Sequence, residues 1–573
     1  MRQRADIGRW RWHHHSHWRR HGALPIVALT VGLGLSLPLL FVLASWFEHS
    51  SPAWLSMIGT VLPGYVVNSI LLGAIVGTGV MVIGIAAAWL VVMCRFPGRL
   101  LFEFALILPL AMPAYVMAYA YTDLLQFAGP VQSALRDAFG WQAGDYWFPN
   151  IRSLPGAGAM LTLALYPYVY LLARASFLEQ SACALDVARS LGRSPWRMFV
   201  EVAVPLARPA IAAGVALASM ETLADYGTVD YFGVQTFTTG IYRAWFSLGD
   251  PVAAGQLAGM LLFAIAALIA LEGWSRGRAR YQQTSGRYRP LPAFALKPVG
   301  ATFAVLTCLL VVALGFVVPA GALVGLALSH NGIGGERLAA LAVNSISLAG
   351  VAAVITVGIA MLIGYANRIA PHRGLRFATA IAVMGYAVPG SIIAIGLMRL
   401  LALVDASFGT TLDAIFGGSN TLLGGSLVAM LFLYASRFLA AALQAVRSGL
   451  SRITRSIDDA ARSLARGPAD AGLRVHVPMI APSALTALLI VFVEVMKELP
   501  GTLILRPFNF DTLAVAAYNF AADERLAEAG RPALAIVVAG LIPVVLLIAA
   551  IARARPGQAP ERVIAVGDAF VVT

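Results

Sequence analysis

The chain has 573 residues, of which 59% are hydrophobic and 12% charged, with a mean hydropathy of +0.78 and a formal net charge of +13. Soluble domains carry about 25% charged residues, so the composition excludes an ordinary soluble enzyme or binding module and points to an integral membrane protein. The basic surplus does not read as a nucleic-acid surface, because Arg and Lys fall in alternate segments between apolar runs, the pattern of topology-setting loops.

In chain order, the N-terminal RWRWHHHSHWRRH gathers His13, His14, His15, His17 and His21. It reads as a basic, aromatic flank at the inner membrane surface, with metal binding as the competing reading. A helical crossing of a 30 Å hydrocarbon core takes roughly 20 apolar residues. Runs of that length recur near 23–46, 66–94, 101–121, 156–178, 207–224, 251–273, 298–328, 342–367, 377–402, 421–446, 480–500 and 532–552. These predict an all-α membrane protein of about twelve spans, because a transmembrane barrel would show alternating segments of about ten residues. The first run is too long for a signal peptide and lacks a clear cleavage site, so it is expected to be retained. Arg95 and Arg99 follow the second run, Arg276, Arg278 and Arg280 the sixth, and Arg452, Arg455 and Arg462 the tenth. Each group falls after an even-numbered crossing, which predicts both termini in the cytoplasm. Cys94, Cys183 and Cys308 are scattered without metal-ligand spacing, and no disulfide is expected.

The chain repeats itself. VVNSILLGAIVGTGV from Val66 matches AVNSISLAGVAAVIT from Ala342, pairing Asn68 with Asn344, and in the next span Pro113 pairs with Pro389. LDVARSLGRSPWRMFVEVAVPLARPAI from Leu185 then matches DDAARSLARGPADAGLRVHVPMIAPSA from Asp458, and the register continues into Glu221 with Glu494 and Asp225 with Glu498. Six crossings in each half is an even number, so the repeats are parallel. The expected organisation is a basic cytoplasmic segment 1–22, a first repeat 23–273, a cytoplasmic linker 274–297, a second repeat 298–553 and a cytoplasmic tail 554–573. Pro113 and Pro389 within helices predict kinks or breaks, which a membrane tolerates only where the freed backbone is buried in protein or faces water. The third span of each half is therefore expected near the core of the bundle.

The two matched polar segments each begin with an acid, run through Ala-Arg-Ser-Leu, break at Gly or Gly-Pro and reach a downstream Pro. An acid in the first turn complements the helix dipole, and the alanines leave a shallow face suited to close packing against another protein. Both segments resemble the EAA loop of the permease subunits of bacterial ABC importers, in which the loop forms a coupling helix that docks into the ATP-binding subunit. The resemblance places Asp186, Val187, Ala188 and Gly192 in the first coupling segment, and Asp459, Ala460, Ala461 and Ala465 in the second. Ala465 stands where the family has Gly, with Gly467 two residues later, so the second turn is expected to be displaced. ETLADYGTVDYFGVQTFTTGIYRAWF from Glu221 and MKELPGTLILRPFNFDTLAVAAY from Met496 resemble the fused, two-repeat permeases of ferric iron importers, with thiamine permeases as the nearest competitor.

What the resemblance implies is a non-catalytic permease subunit that moves ferric iron, delivered by a periplasmic binding protein, across the bacterial inner membrane. No G-x-x-x-x-G-K-[ST] loop is present, so ATP and Mg are expected to be used by separate ATP-binding cassette subunits, two copies, with no cofactor held by this chain. Membrane lipid is the remaining expected partner, and nucleic acid is not one. Ionisable residues at span level cost on the order of 3 kcal/mol each and are functional candidates by default. Glu221 and Asp225 are spaced i, i+4, as are Glu494 and Glu498, which predicts each pair on one helix face. The four become candidates for a cation pathway, against the reading that they anchor helix ends or pair with Lys497 and Arg506. No firm metal site is predicted. The alternatives are a thiamine or other small-cation ABC importer and an ion-coupled secondary transporter.

Overall fold

The computed structural model describes residues 23–49, 51–179, 190–191, 193–276, 294–328, 332–416, 425–463 and 468–553. The His-rich segment, most of the 274–297 linker, the C-terminal tail, Cys183, Asp186, Val187, Ala188, Gly192, Ala465 and Gly467 lie outside the described residues.

The first half comprises α1 (Leu24–Gly34), α2 (Leu37–Ala44), α3 (Leu62–Met93), α4 (Arg99–Ala105), α5 (Ala114–Leu125), α6 (Pro130–Phe139), α7 (Leu154–Glu179), α8 (Val204–Ala224), α9 (Gly227–Tyr231), α10 (Phe237–Tyr242) and α11 (Pro251–Arg276). The second comprises α12 (Pro298–Val312), α13 (Val318–Leu328), α14 (Gly335–Ile369), α15 (Arg373–Met384), α16 (Gly390–Phe416), α17 (Leu427–Ser451), α18 (Arg455–Ser463), α19 (Ala481–Lys497), α20 (Pro500–Leu505), α21 (Leu513–Ala522) and α22 (Leu526–Arg553). Ten helices among the described residues are long and apolar enough to cross a membrane, and twelve if each of two sharply bent pairs counts as one span. One bend, of 95°, separates Arg99–Ala111 from Ala114–Phe139, with Pro113 as the N-cap of α5. In the second half a short 3-10 turn, Gly385–Ala387, separates α15 from α16, with Pro389 just before α16. Both prolines thus interrupt their span, because a proline ring obstructs the preceding helical turn and removes a backbone donor.

The repeat is present in three dimensions. In the first half α3 packs on α7, and α8 on both; in the second half α14 packs on α17, and α19 on both. Asn68 donates its side-chain amide to the carbonyl of Gln235, and Asn344 to that of Asp511. One residue on, Ser69 Oγ accepts from Phe237 N and Ser345 Oγ from Leu513 N. The matched Asn-Ser pairs therefore hold the start of α10 and of α21 against the long helix of their own half, satisfying backbone groups that hydrocarbon would leave unpaired. Close approach within the first half needs glycine: a Cβ on Gly214 of α8 would lie 2.8 Å from the Cα of Val169 on α7.

The first spans cross over. α1 packs on α14 and α15 and α2 on α16, while reciprocally α12 packs on α3 and α4 and α13 on α5. Each half is clasped by the opening span of the other. Cys94–Arg95, at the end of α3, also forms a short parallel ladder with Phe294–Ala295, just before α12.

Candidate functional site

Halfway along α7 and α17 the bundle forms a cavity of about 140 Å³. Its wall includes Met112, Pro113 and Tyr115 from the broken third span, Tyr168 from α7, and all four candidate carboxylates, Glu221, Asp225, Glu494 and Glu498. Arg437 of α17 and Lys497 at the end of α19 face the same space. Both halves contribute acids, whereas both cations come from the second half; Ala164 and Ala224 occupy the matching first-half positions.

The i, i+4 expectation for the acids is corrected by the backbone. α8 ends at Ala224 and α19 at Lys497, and both Asp225 (φ −65°, ψ 134°) and Glu498 (φ −70°, ψ 120°) are extended. The reason is local hydrogen bonding. Asp225 accepts from the amides of Thr228 (3.0 Å) and Val229 (3.1 Å) and from the Thr228 hydroxyl. Glu498 accepts from the amides of Gly501 and Thr502, each at 2.9 Å, and from the Thr502 hydroxyl. Each acid thus caps the short helix that follows, α9 or α20, supplying the acceptor that the first helical amides lack. A helical backbone at those positions would point the carboxylates away from these donors.

The remaining partners separate the four acids further. Glu498 also receives Arg437 Nη1 at 3.0 Å, and Glu494 receives Lys497 Nζ at 3.0 Å. Arg506, the other expected partner, pairs with Asp511 instead. Glu221 makes no hydrogen bond or ion pair among the described residues and faces the cavity. Gly390, directly after Pro389, leaves the room that the Arg437–Glu498 pair occupies, since a Cβ there would collide with both side chains. Among the described residues no three His, Cys, Asp or Glu side chains gather as a resident metal site.

The tyrosines around these elements divide. Tyr115 lines the cavity, Tyr119 packs edge-on against Tyr231, and Tyr121 donates to the carbonyl of Leu314 at 2.6 Å. Tyr226 stacks on Tyr242 (centroids 3.7 Å apart), and its hydroxyl is 3.1 Å from that of Tyr518, which in turn donates to Asp230 at 2.5 Å. The Tyr226–Tyr518 and Tyr518–Asp230 contacts join the first half to the second. On the face carrying the starts of α7 and α22, Arg152 grips both carboxylate oxygens of Glu524, at 2.5 and 2.8 Å, joining the two halves.

At the opposite face, where the Arg-rich segments lie, α18 carries the second polar repeat segment. Asp459 and Ala460 are exposed on it; Ala461 belongs to its backbone. Asp458, the preceding acid, turns inward. Its Oδ2 accepts Arg368 Nη2 at 2.7 Å, and its Oδ1 lies 2.6 Å from His476 Nε2. Arg368 also donates to the carbonyls of Leu450 and Ile453, at the end of α17 and just beyond it. Burial alone would raise the Asp458 pKa, but the Arg368 and His476 contacts outweigh it and hold the carboxyl below its ordinary range. Neither Arg437 nor this Asp458–Arg368–His476 cluster was singled out by sequence. Arg437 did leave a signal, as an arginine in the middle of the apolar run 421–446.

Residues 80–272 match the family model described as binding-protein-dependent transport system inner membrane component. The Fe(3+)-transport system permease protein FbpB 2 of Haemophilus influenzae is 27% identical over 536 residues, covering 91% of this chain and 97% of that protein. The ferric transport system permease protein FbpB of Actinobacillus pleuropneumoniae is 23% identical over 92% of this chain and 76% of its own length. The molybdenum transport system permease protein ModB of Haemophilus influenzae is 30% identical over 188 residues, 32% of this chain and 78% of ModB. With its two six-span halves, matched polar segments and a charged cavity at mid-bundle, the chain belongs to the inner membrane components of binding-protein-dependent transport systems.

Proposed function

We propose that this chain is the fused permease subunit of an ATP-driven importer that passes ferric iron from a periplasmic binding protein to the cytoplasm. The observation that carries the reading is end-to-end similarity to a permease named for Fe(3+) transport. The cavity supports it: four carboxylates against two cations leave an acidic path, and hard oxygen donors suit a small, highly charged cation. An oxyanion such as sulfate would meet repulsion there, and the relatives named for sulfate or molybdenum align with only about a quarter to a third of the chain. Two ATP-binding cassette subunits would dock on the Arg-rich face, one at each polar repeat segment. Asp186, Val187, Ala188 and Gly192 would serve one subunit, and Asp459, Ala460, Ala461, Ala465 and Gly467 the other. ATP and Mg belong to those subunits. The face bearing Arg152 and Glu524 is periplasmic in this reading, and both termini are cytoplasmic, a placement that the distribution of Arg supports.

Reconstitution in proteoliposomes with the ATPase and iron-loaded binding protein tests the assignment. ATP-dependent uptake of labelled iron is expected, and replacing Asp186 and Asp459 together with Lys should abolish the stimulation of ATP hydrolysis by the binding protein. Transport by the chain alone, driven by an ion gradient, would overturn the reading.

A further inference from the structure

Arg152 has three engagements at the periplasmic mouth. Its guanidinium bridges to Glu524 of the other half, donates to the Tyr231 hydroxyl at 3.2 Å and lies over the Tyr231 ring, 4.9 Å from its centroid. Tyr231 belongs to α9, whose cap Asp225 lines the mid-bundle cavity, and Asp230 of the same helix receives Tyr518 from the second half. One short helix therefore connects the mouth to the path below it. Arg152 also lines a second cavity, of about 330 Å³, built by the loop from Leu125 to Arg152. The polar part of that wall is ordered: Tyr146 donates to Gln132 at 2.8 Å and accepts from Arg136 at 2.9 Å. Phe127, in that wall, is 55% exposed and Trp147 beside it 86% exposed, and aromatic and arginine side chains are the usual anchors of protein interfaces.

We propose that this loop cavity is where the binding protein engages, and that an acidic side chain of the docked partner takes the Arg152 guanidinium from Glu524, releasing the two halves at the periplasmic mouth. The inference rests on the periplasmic assignment made above. Charge selects the occupant: the cavity offers a cation already shaped around a carboxylate, so a second carboxylate replaces the first with little net change in interaction. The bridge suits such an exchange because it is open to solvent, with Arg152 and Glu524 side chains 32% and 61% exposed, and exposed pairs contribute little to holding a fold. The contacts beneath it, Tyr226 to Tyr518 and Tyr518 to Asp230, join α9 and the residue before it to α21 and would part with it.

The test is ATP hydrolysis by the full reconstituted complex, with and without iron-loaded binding protein. Glu524→Gln, checked for an unchanged size-exclusion profile, should raise hydrolysis without binding protein at least about threefold, because the closed mouth loses its tie. The charge exchange Arg152→Glu with Glu524→Arg should return basal hydrolysis to the unmodified level, since the pair re-forms, yet lose stimulation by the binding protein, because the cavity now presents a carboxylate. An exchanged pair that is stimulated normally, or a Glu524→Gln chain with unchanged basal hydrolysis, overturns the proposal. An unmodified complex that the binding protein does not stimulate at all would instead overturn the importer reading.

Discussion

At the residue scale, four carboxylates that look equivalent in sequence are separated by their partners. Asp225 and Glu498 cap helices, Glu494 is paired, and Glu221 is left facing the cavity. Glu221→Gln should therefore lower iron uptake by roughly tenfold, equivalent to about 1.4 kcal/mol, with folding intact, whereas Asp225→Asn should first reduce the melting temperature in detergent. Equal thermal loss in both would contradict this division. Arg437→Met strands the buried Glu498 carboxylate and should destabilise by about 3 kcal/mol, and adding Glu498→Gln should recover part of that loss. At the mouth, the Arg152 hydrogen bonds hold the Glu524 carboxyl below its ordinary range. A depressed folded-state pKa means that the bridge contributes above the ordinary value of about 4.3 and is lost as pH falls through the lowered one. Basal ATP hydrolysis attributable to this bridge should stay flat from about pH 8 to pH 6 and rise only in acid. The acids were legible as intramembrane charges, but their caps were not, because an i, i+4 spacing looks identical whether the helix continues or breaks after the first member.

At the element scale, helix existence and repeat pairing were readable from apolar runs and matched motifs, and both prolines interrupt their spans as a missing donor requires. The interruption in the second half has a role beyond the kink. It brings Gly390 beside the Arg437–Glu498 pair, so Gly390→Ala should separate those side chains and reduce uptake while leaving the bundle assembled, as size exclusion can verify. Gly214→Leu, by contrast, would push α8 off α7 and is expected to prevent a monodisperse protein. The second polar segment also proves to be tied inward, through Asp458 to α14 and through His476 to the segment that follows α18. Those ties span residues up to 90 positions apart, beyond the reach of periodicity.

At the scale of the whole molecule, the linear division into two repeats does not describe two independent bodies. The first span of each half packs on the other half, so a first half expressed alone would expose the faces of α1 and α2 that cover α14, α15 and α16. We expect it to aggregate in mild detergent. Co-expression of both halves, split within the seam from Trp274 to Lys297, should yield one complex on size exclusion, and failure to associate would argue against the reciprocal packing. Sequence by itself determined the membrane class, the approximate number of spans, the parallel repeat and the acids worth watching, because each follows from local hydropathy or from register between matched segments. Only the tertiary structure decided which acid lacks a hydrogen-bonded partner, which cation joins each pair, which spans cross over and that Arg152 and Glu524 join the two halves. Those outcomes depend on long-range packing and on competition among several donors for one carboxylate, and neither is written in any single stretch of chain.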